Sequence, residues 1–174
     1  MLIIQLTGLS GSGKTTLSQF VKQALEDRHL TVEIIDGDTY RKTLCRDLGF
    51  SVEDRCENIR RLGHAAHSFA GSRDVVIIAA INPFEHIRKE LEIKYGIKTV
   101  WINCNVDVLI ARDTKGLYRR ALLPEDHPDK LHNLTGINDS YDTPVNYALL
   151  INTHMQSTAQ CGGLLCDFIL QHIG

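Results

Sequence analysis

No apolar run in the chain approaches the ~20 residues needed to cross a bilayer, and no repeat, low-complexity tract or linker interrupts its 174 residues. The first apolar run, MLIIQLT, is short, lacks a basic start and leads straight into glycines, so no signal peptide is expected. Charge of one sign is also missing. A formal net charge of −2 argues against a sequence-independent grip on nucleic acid, so any anion must be met locally. The cysteines Cys45, Cys56, Cys104, Cys161 and Cys166 are odd in number and form no CxxC pair. That pattern suits reduced thiols in a cytoplasmic protein and speaks against metal ligation. No N-K-x-D sequence occurs to read guanine, which disfavours a GTPase switch. The expected partners are therefore small molecules, with neither nucleic acid nor membrane among them. Oligomeric state is left open, a homodimer being one option.

What is present is an ordinary globular composition, 43% hydrophobic and 23% charged, in a length that suits one domain over 1–174 with a sizeable core. Five apolar stretches look buried on both faces: LIIQLT, TVEIID, DVVIIAAI, KTVWINC and YALLINT. They alternate with helical patterns such as TTLSQFVKQALEDR and ENIRRLGHAAHSFAG. Strands alternating with helices predict an α/β fold, a parallel sheet covered by helices on both faces, with ligands bound beyond the carboxyl ends of the strands. The stretch from Gly116 to Pro144 has no clear periodicity. Loops of this length in a compact domain are usually functional or mobile, and a lid over about 116–144 is expected; a solvated excursion is the plainer alternative.

GLSGSGKTT, Gly8 to Thr16, follows the first of the apolar stretches. Gly8, four residues, then Gly13, Lys14 and Thr15 match the phosphate-binding loop between a strand and a helix. Glycines recur there because backbone N–H groups of Leu9, Ser10, Gly11, Ser12, Gly13, Lys14 and Thr15 converge on phosphate oxygens only where side chains stay clear. Lys14 can reach the β- and γ-phosphates of ATP, and the Thr15 hydroxyl can take a Mg²⁺ position. The spacing thus predicts ATP as co-substrate and Mg²⁺ as cofactor. Asp36 and Asp38, at the end of the second strand pattern, can serve as a general base and as an anchor for hydrated Mg²⁺, although capping of a helix near Thr39 would also explain one of them. Arg41, Arg55, Arg60 and Arg61 suggest a second anion held by bidentate contacts, with at most one of the adjacent Arg60 and Arg61 facing it. His64 and His67 share a helix face, but no third ligand accompanies them.

Together, GLSGSGKTT, DGDTYRKTLCRDLGFSVEDRCENIRR, NPF, RDTKGLY and LTGINDSYDTP occur in the order seen in the adenylylsulfate kinase family, which the chain resembles from end to end. The resemblance implies a P-loop fold and transfer of the ATP γ-phosphate to the 3′-hydroxyl of adenosine 5′-phosphosulfate. Residue by residue, it implies that Asp38 is the base and that Arg41, Arg55 and Asn58 hold the phosphosulfate and its nucleoside. It further implies that Phe50 stacks on the acceptor base, that Lys115 lies near the phosphates, and that Arg112 packs on the ATP base. For Phe50 plain core packing is the alternative.

The departures from the family pattern fall together. Asn82 stands where the family has serine before the proline of the NPF turn and Glu85 where it has arginine two residues after it, Leu134 stands where a second stacking ring precedes TGI, and the lid carries the additional residues LLPEDHPDKLHN. The donor half is intact and the acceptor half is altered. A different nucleotide-like acceptor, such as cytidine diphosphoramidate, is therefore an alternative, and a non-catalytic nucleotide-binding module is another.

Overall fold

The computed structural model describes residues 1–173. Its elements run β1 (Leu2–Thr7), α1 (Lys14–Glu26), β2 (Val32–Asp36), α2 (Gly37–Tyr40), α3 (Val52–His67), β3 (Val75–Ala79), α4 (Glu85–Tyr95), β4 (Lys98–Asn103), α5 (Val106–Arg112), α6 (Leu117–Ala121), β5 (Leu149–Asn152) and α7 (Thr158–His172). The five strands form one sheet in the order β2-β3-β1-β4-β5. All four pairings are parallel, as the run of two-sided apolar stretches implied.

Periodicity decides which helix covers which face. Leu17, Val21 and Leu25, four apart, form the buried stripe of α1. They pack with Leu2, Ile4 and Leu6 of β1 and with Leu165 and Ile169 of α7 on one side of the sheet. Ile3 points the other way, into a core with Ile59 and Leu62 of α3 and with Ile87 and Leu91 of α4. Helices α3 and α7 start on polar caps: the Ser51 side chain accepts from Asp54 N at α3, and Ser157 and Gln160 form a capping box at α7. A third, smaller cluster joins Leu109, Tyr118, Ala121 and Leu134 around α5, α6 and the following segment.

Register places the site. Asp36 is level with Ala79, and Leu6 is level with the same residue, so β1, β2 and β3 end along one edge. From that edge emerge the Gly8–Thr16 loop, the Asp36–Asp38 turn and the Ile81–Asn82 turn. Among the described residues no helix is long and apolar enough to cross a membrane. The stretch 116–144 contains α6 and a single bridge between Thr135 and Asp139; otherwise it is irregular.

Candidate active site

Between β1 and α1 the chain turns through positions that require glycine. A Cβ on Gly8 would collide with the Ile102 carbonyl oxygen, and Gly13 starts α1 at φ 100°, a left-handed backbone that glycine adopts freely. Thr153 Oγ1 braces the loop by donating to the Ser12 carbonyl (2.9 Å), and Tyr118 Oη donates to that of Ser10 (2.8 Å). The Lys14 ammonium is folded onto the loop itself, donating to the carbonyl oxygens of Gly8 and Leu9, both at 2.8 Å. Burial lowers its pKa to about 7; the Lys115 charge adds to the effect, while those of Asp38 and Asp36 oppose it.

Asp36 does two things. Its Oδ1 accepts from Thr39 N (3.0 Å) and caps α2, and its Oδ2 accepts from the Thr15 hydroxyl (3.1 Å). Capping and a phosphate-site position therefore coexist in one carboxylate. Asp38, on the first turn of α2, is exposed and pairs with Lys115 Nζ at 2.5 Å.

Beyond these carboxylates the cavity continues to α3. Phe50 lies on its wall, 54% exposed, with the guanidinium carbons of Arg41 and Arg55 4.7 and 5.5 Å from its ring centroid. That exposure rules out core packing. Arg41 donates to the Gly49 carbonyl (2.7 Å). Burial lowers the pKa of its guanidinium, and the neighbouring Arg55 charge adds to the effect. Arg55 is buried and donates to the carbonyls of Phe50 (3.0 Å) and Asn133 (2.8 Å) and to Thr135 Oγ1 (2.9 Å), while pairing with Asp139 (2.6 Å). Asn58 and Asn82 are buried on the same wall, and the Oδ1 of each has no hydrogen-bond partner.

A cavity of about 620 Å³ joins these parts, within the range of small-molecule sites. Of the residues singled out in the sequence, Ser10, Gly11, Gly13, Lys14, Thr15, Thr16, Asp36, Asp38, Arg41, Phe50, Arg55, Asn58, Asn82, Lys115 and Leu134 line it. Gly8, Leu9 and Ser12, of the same loop, are outside the wall and accept from Lys14.

Several others lie elsewhere. Arg112, at the exposed end of α5, turns toward the Cys104 thiol (3.9 Å) and is not part of the cavity wall. Neither Arg60 nor Arg61 faces the cavity: Arg60 chelates Glu90, and Arg61 pairs with Asp47 and Glu57. Glu85 does not confront a bound anion either, because it is taken up by the buried Arg88 (2.7 Å) and lies outside the wall. His67 packs on Tyr95, and among the described residues no cluster of three or more His, Cys, Asp or Glu side chains could hold a metal. Sequence reasoning missed Lys42, Thr114, Leu131, Asn133 and Thr135 in the wall. Leu131 and Asn133 come from the extra residues of the aperiodic stretch, whereas Lys42, Thr114 and Thr135 lie inside the family motifs and carried no separate signal.

A glycine loop on a parallel sheet edge, with lysine, hydroxyl and carboxylates facing one cavity, defines a P-loop kinase of small molecules. The adenylylsulphate kinase family model matches residues 1–152. An adenylyl-sulfate kinase of Chloroflexus aurantiacus is 39% identical over 161 residues, covering 92% of this chain and 84% of that one. A probable bifunctional SAT/APS kinase of Sorangium cellulosum is 40% identical over 153 residues, but this chain spans only 25% of that longer protein. The solved Mycobacterium tuberculosis APS kinase CysC, in complex with AMPPNP and APS, superposes with a TM-score of 0.87 at 30% identity, covering 97% of each chain. The chain belongs to the adenylylsulphate kinase family.

Proposed function

We propose that this chain, as a single kinase domain, transfers the γ-phosphoryl group of MgATP to the 3′-hydroxyl of adenosine 5′-phosphosulfate. The observation that carries this reading is the two-ended cavity. Lys14, Thr15 and Asp36 meet at one end, while Arg41, Arg55 and Phe50 gather at the other, with Asp38 among its lining residues.

At the donor end the backbone amides of the glycine loop hold the phosphates, and Lys14 leaves the Gly8 and Leu9 carbonyls for the β- and γ-oxygens. Phosphate oxygens favour the charged ammonium far more than carbonyls do, so its lowered pKa rises on binding. Thr15 Oγ1 and Asp36, already 3.1 Å apart, are hard oxygen donors of the kind Mg²⁺ uses when it keeps most of its waters and arrives with phosphate. Bound there, the ion would neutralise charge on the β- and γ-oxygens.

At the acceptor end the base stacks on Phe50, while Arg41, Arg55 and Asn58 hold the phosphosulfate and nucleoside. Asp38 accepts the proton of the 3′-hydroxyl as that oxygen bonds the γ-phosphorus and the bond to ADP breaks. Lys115, released from Asp38, neutralises charge on the moving phosphoryl. The 116–144 segment acts as a lid, with Lys130 bracing its own turn at the Leu123 carbonyl and Asp139 pairing with Arg55 of α3, and it closes over both ligands.

A second acceptor, a cytidine nucleotide carrying a phosphoramidate, is favoured by one observation: Phe50 is the only aromatic side chain in the cavity wall among the described residues, and Leu134 is aliphatic. The test is an acceptor panel with MgATP, scoring ADP formed with adenosine 5′-phosphosulfate, cytidine diphosphoramidate and simple nucleotides. Turnover confined to the first supports the reading. Turnover confined to the second replaces its acceptor, and turnover of none refutes a catalytic role. Asp38→Asn should lower kcat by ~10²–10⁴-fold with little change in acceptor KM.

A further inference from the structure

Asn82 is the most constrained polar residue of the cavity wall. It is 2% exposed, and its φ of 42° lies in the left-handed region that asparagine tolerates better than most residues. Its backbone is pinned there, because its carbonyl accepts from Arg88 Nη1 (2.7 Å) and from Thr7 Oγ1 (3.1 Å). Its side chain is held from behind as well. Asn82 Nδ2 donates to Gln5 Oε1 (2.5 Å), and Gln5 Nε2 donates to Thr99 Oγ1 (2.8 Å). The relay runs from the turn after β3 through β1 to β4, three neighbouring strands, and Gln5 and Thr99 are themselves buried and absent from the cavity wall. One atom of the relay is left over: Asn82 Oδ1, with no partner.

Three buried polar side chains in a row are costly unless each is satisfied, and an orphaned amide oxygen at the end of the row costs about as much as a lost hydrogen bond. The expense is understandable if a ligand completes the row. We infer that Gln5 and Thr99 are positioning residues that hold the Asn82 amide oxygen toward the cavity, and that this oxygen selects an acceptor nucleotide by an N–H or O–H donor. The inference rests on reading this cavity as the acceptor site. An amide oxygen repels bare sulfate or phosphate oxygens, so Asn82 faces the nucleoside part of the acceptor. The available donors there are the ribose 2′-hydroxyl and the exocyclic amine of the base. Selection by a buried acceptor of this kind is sharp, because an analogue lacking the donor leaves the oxygen desolvated and unpaired.

The test is a double-mutant cycle on the full chain with Gln5→Met and Asn82→Ala, alongside Thr99→Val, with thermal unfolding of every variant. Kinetics are read with adenosine 5′-phosphosulfate and with its 2′-deoxy and inosine counterparts. Gln5→Met should raise the acceptor KM roughly fivefold, the scale of one hydrogen bond, and leave the KM for MgATP unchanged. In the Asn82→Ala background it should do nothing further to acceptor KM, which a merely structural role for Gln5 would not produce. One of the two analogues should lose about fivefold or more on the wild type and nothing on Asn82→Ala.

Additive effects of Gln5→Met and Asn82→Ala, or equal changes in both substrates' KM, would overturn the positioning role. So would an analogue ranking that Asn82→Ala leaves intact. Improved use of the inosine analogue would show the relay running in reverse, with Nδ2 facing the cavity, and would equally overturn it. If Gln5→Met fails to fold, Thr99→Val carries the same comparison from the far end of the relay. Wild type inactive on adenosine 5′-phosphosulfate refutes the proposed acceptor alone, and the cycle is then read with cytidine diphosphoramidate. If that too is inactive, calorimetric binding of adenosine 5′-phosphosulfate with MgADP reads the cycle, and absence of binding overturns the inference.

Discussion

Arg55→Met removes the pin between α3 and the segment over the site. The guanidinium is buried and makes three hydrogen bonds and one ion pair, and all but the bond to the Phe50 carbonyl go to residues 133–139. Breaking a buried pair from one side costs ~3–5 kcal/mol, because the partner stays desolvated. Asp139 is 24% exposed and regains some water, so we take the lower end, about 3 kcal/mol. Those partners sit in one local turn, where Gly136 N donates to the Asp139 carbonyl and the amides of Ile137, Asn138 and Asp139 donate to that of Leu134. The loss should therefore appear as local opening, with the rest of the fold intact. Three kcal/mol corresponds to about a 10²-fold rise in opening. Hydrogen exchange resolved by residue should show those four amides exchanging about 10²-fold faster, with Tm nearly unchanged. Unaltered exchange there would refute the pin. A uniform rise across the sheet with a fall in Tm of ~6–12 °C would show instead that Arg55 supports the whole fold.

Lys14, with its pKa near 7 in the ligand-free loop, should take up close to one proton when MgATP binds at pH 8.5 and none at pH 5.5; calorimetry in buffers of different ionisation enthalpy reads this, and Lys14→Met should abolish it. The same group binds fewer protons folded than unfolded between pH 7 and its ordinary value of 10.5, so its contribution to stability rises with pH across that window, visible as the difference in denaturation midpoints between wild type and Lys14→Met. Phe50→Ala should leave Tm nearly unchanged, because the ring is half exposed, and raise acceptor KM by the ~1–3 kcal/mol of one stacked base; an unchanged KM would place the base elsewhere. Glu85→Arg should lower Tm by ~2–8 °C, by setting a like charge beside the buried Arg88, and leave acceptor KM within twofold (~0.4 kcal/mol); a large KM change with unchanged Tm would return Glu85 to the site.

Much of this protein was legible in local sequence. Two-sided apolar stretches specify buried parallel strands, because only helices on both faces can cover them, and glycine spacing specifies the phosphate loop, because amides must approach oxygen unobstructed. Both are properties of a few adjacent residues. The family signature was likewise readable from short motifs in order.

Placement was another matter. Phe50 as an exposed ring under two guanidiniums, Glu85 spent on Arg88, and Arg60 and Arg61 paired away from the cavity all depend on partners 3 to 30 residues distant along the chain. An arginine in a motif looks the same whether a carboxylate waits for it or an anionic ligand does. The Thr99–Gln5–Asn82 relay was invisible for the same reason: strand register, set by the whole sheet, brings a glutamine inside an apolar run level with a threonine 94 residues away. Local sequence determined which elements form and what chemistry they carry. The packing of the sheet decided which polar groups find one another and which, like the Asn82 oxygen, are left without a partner.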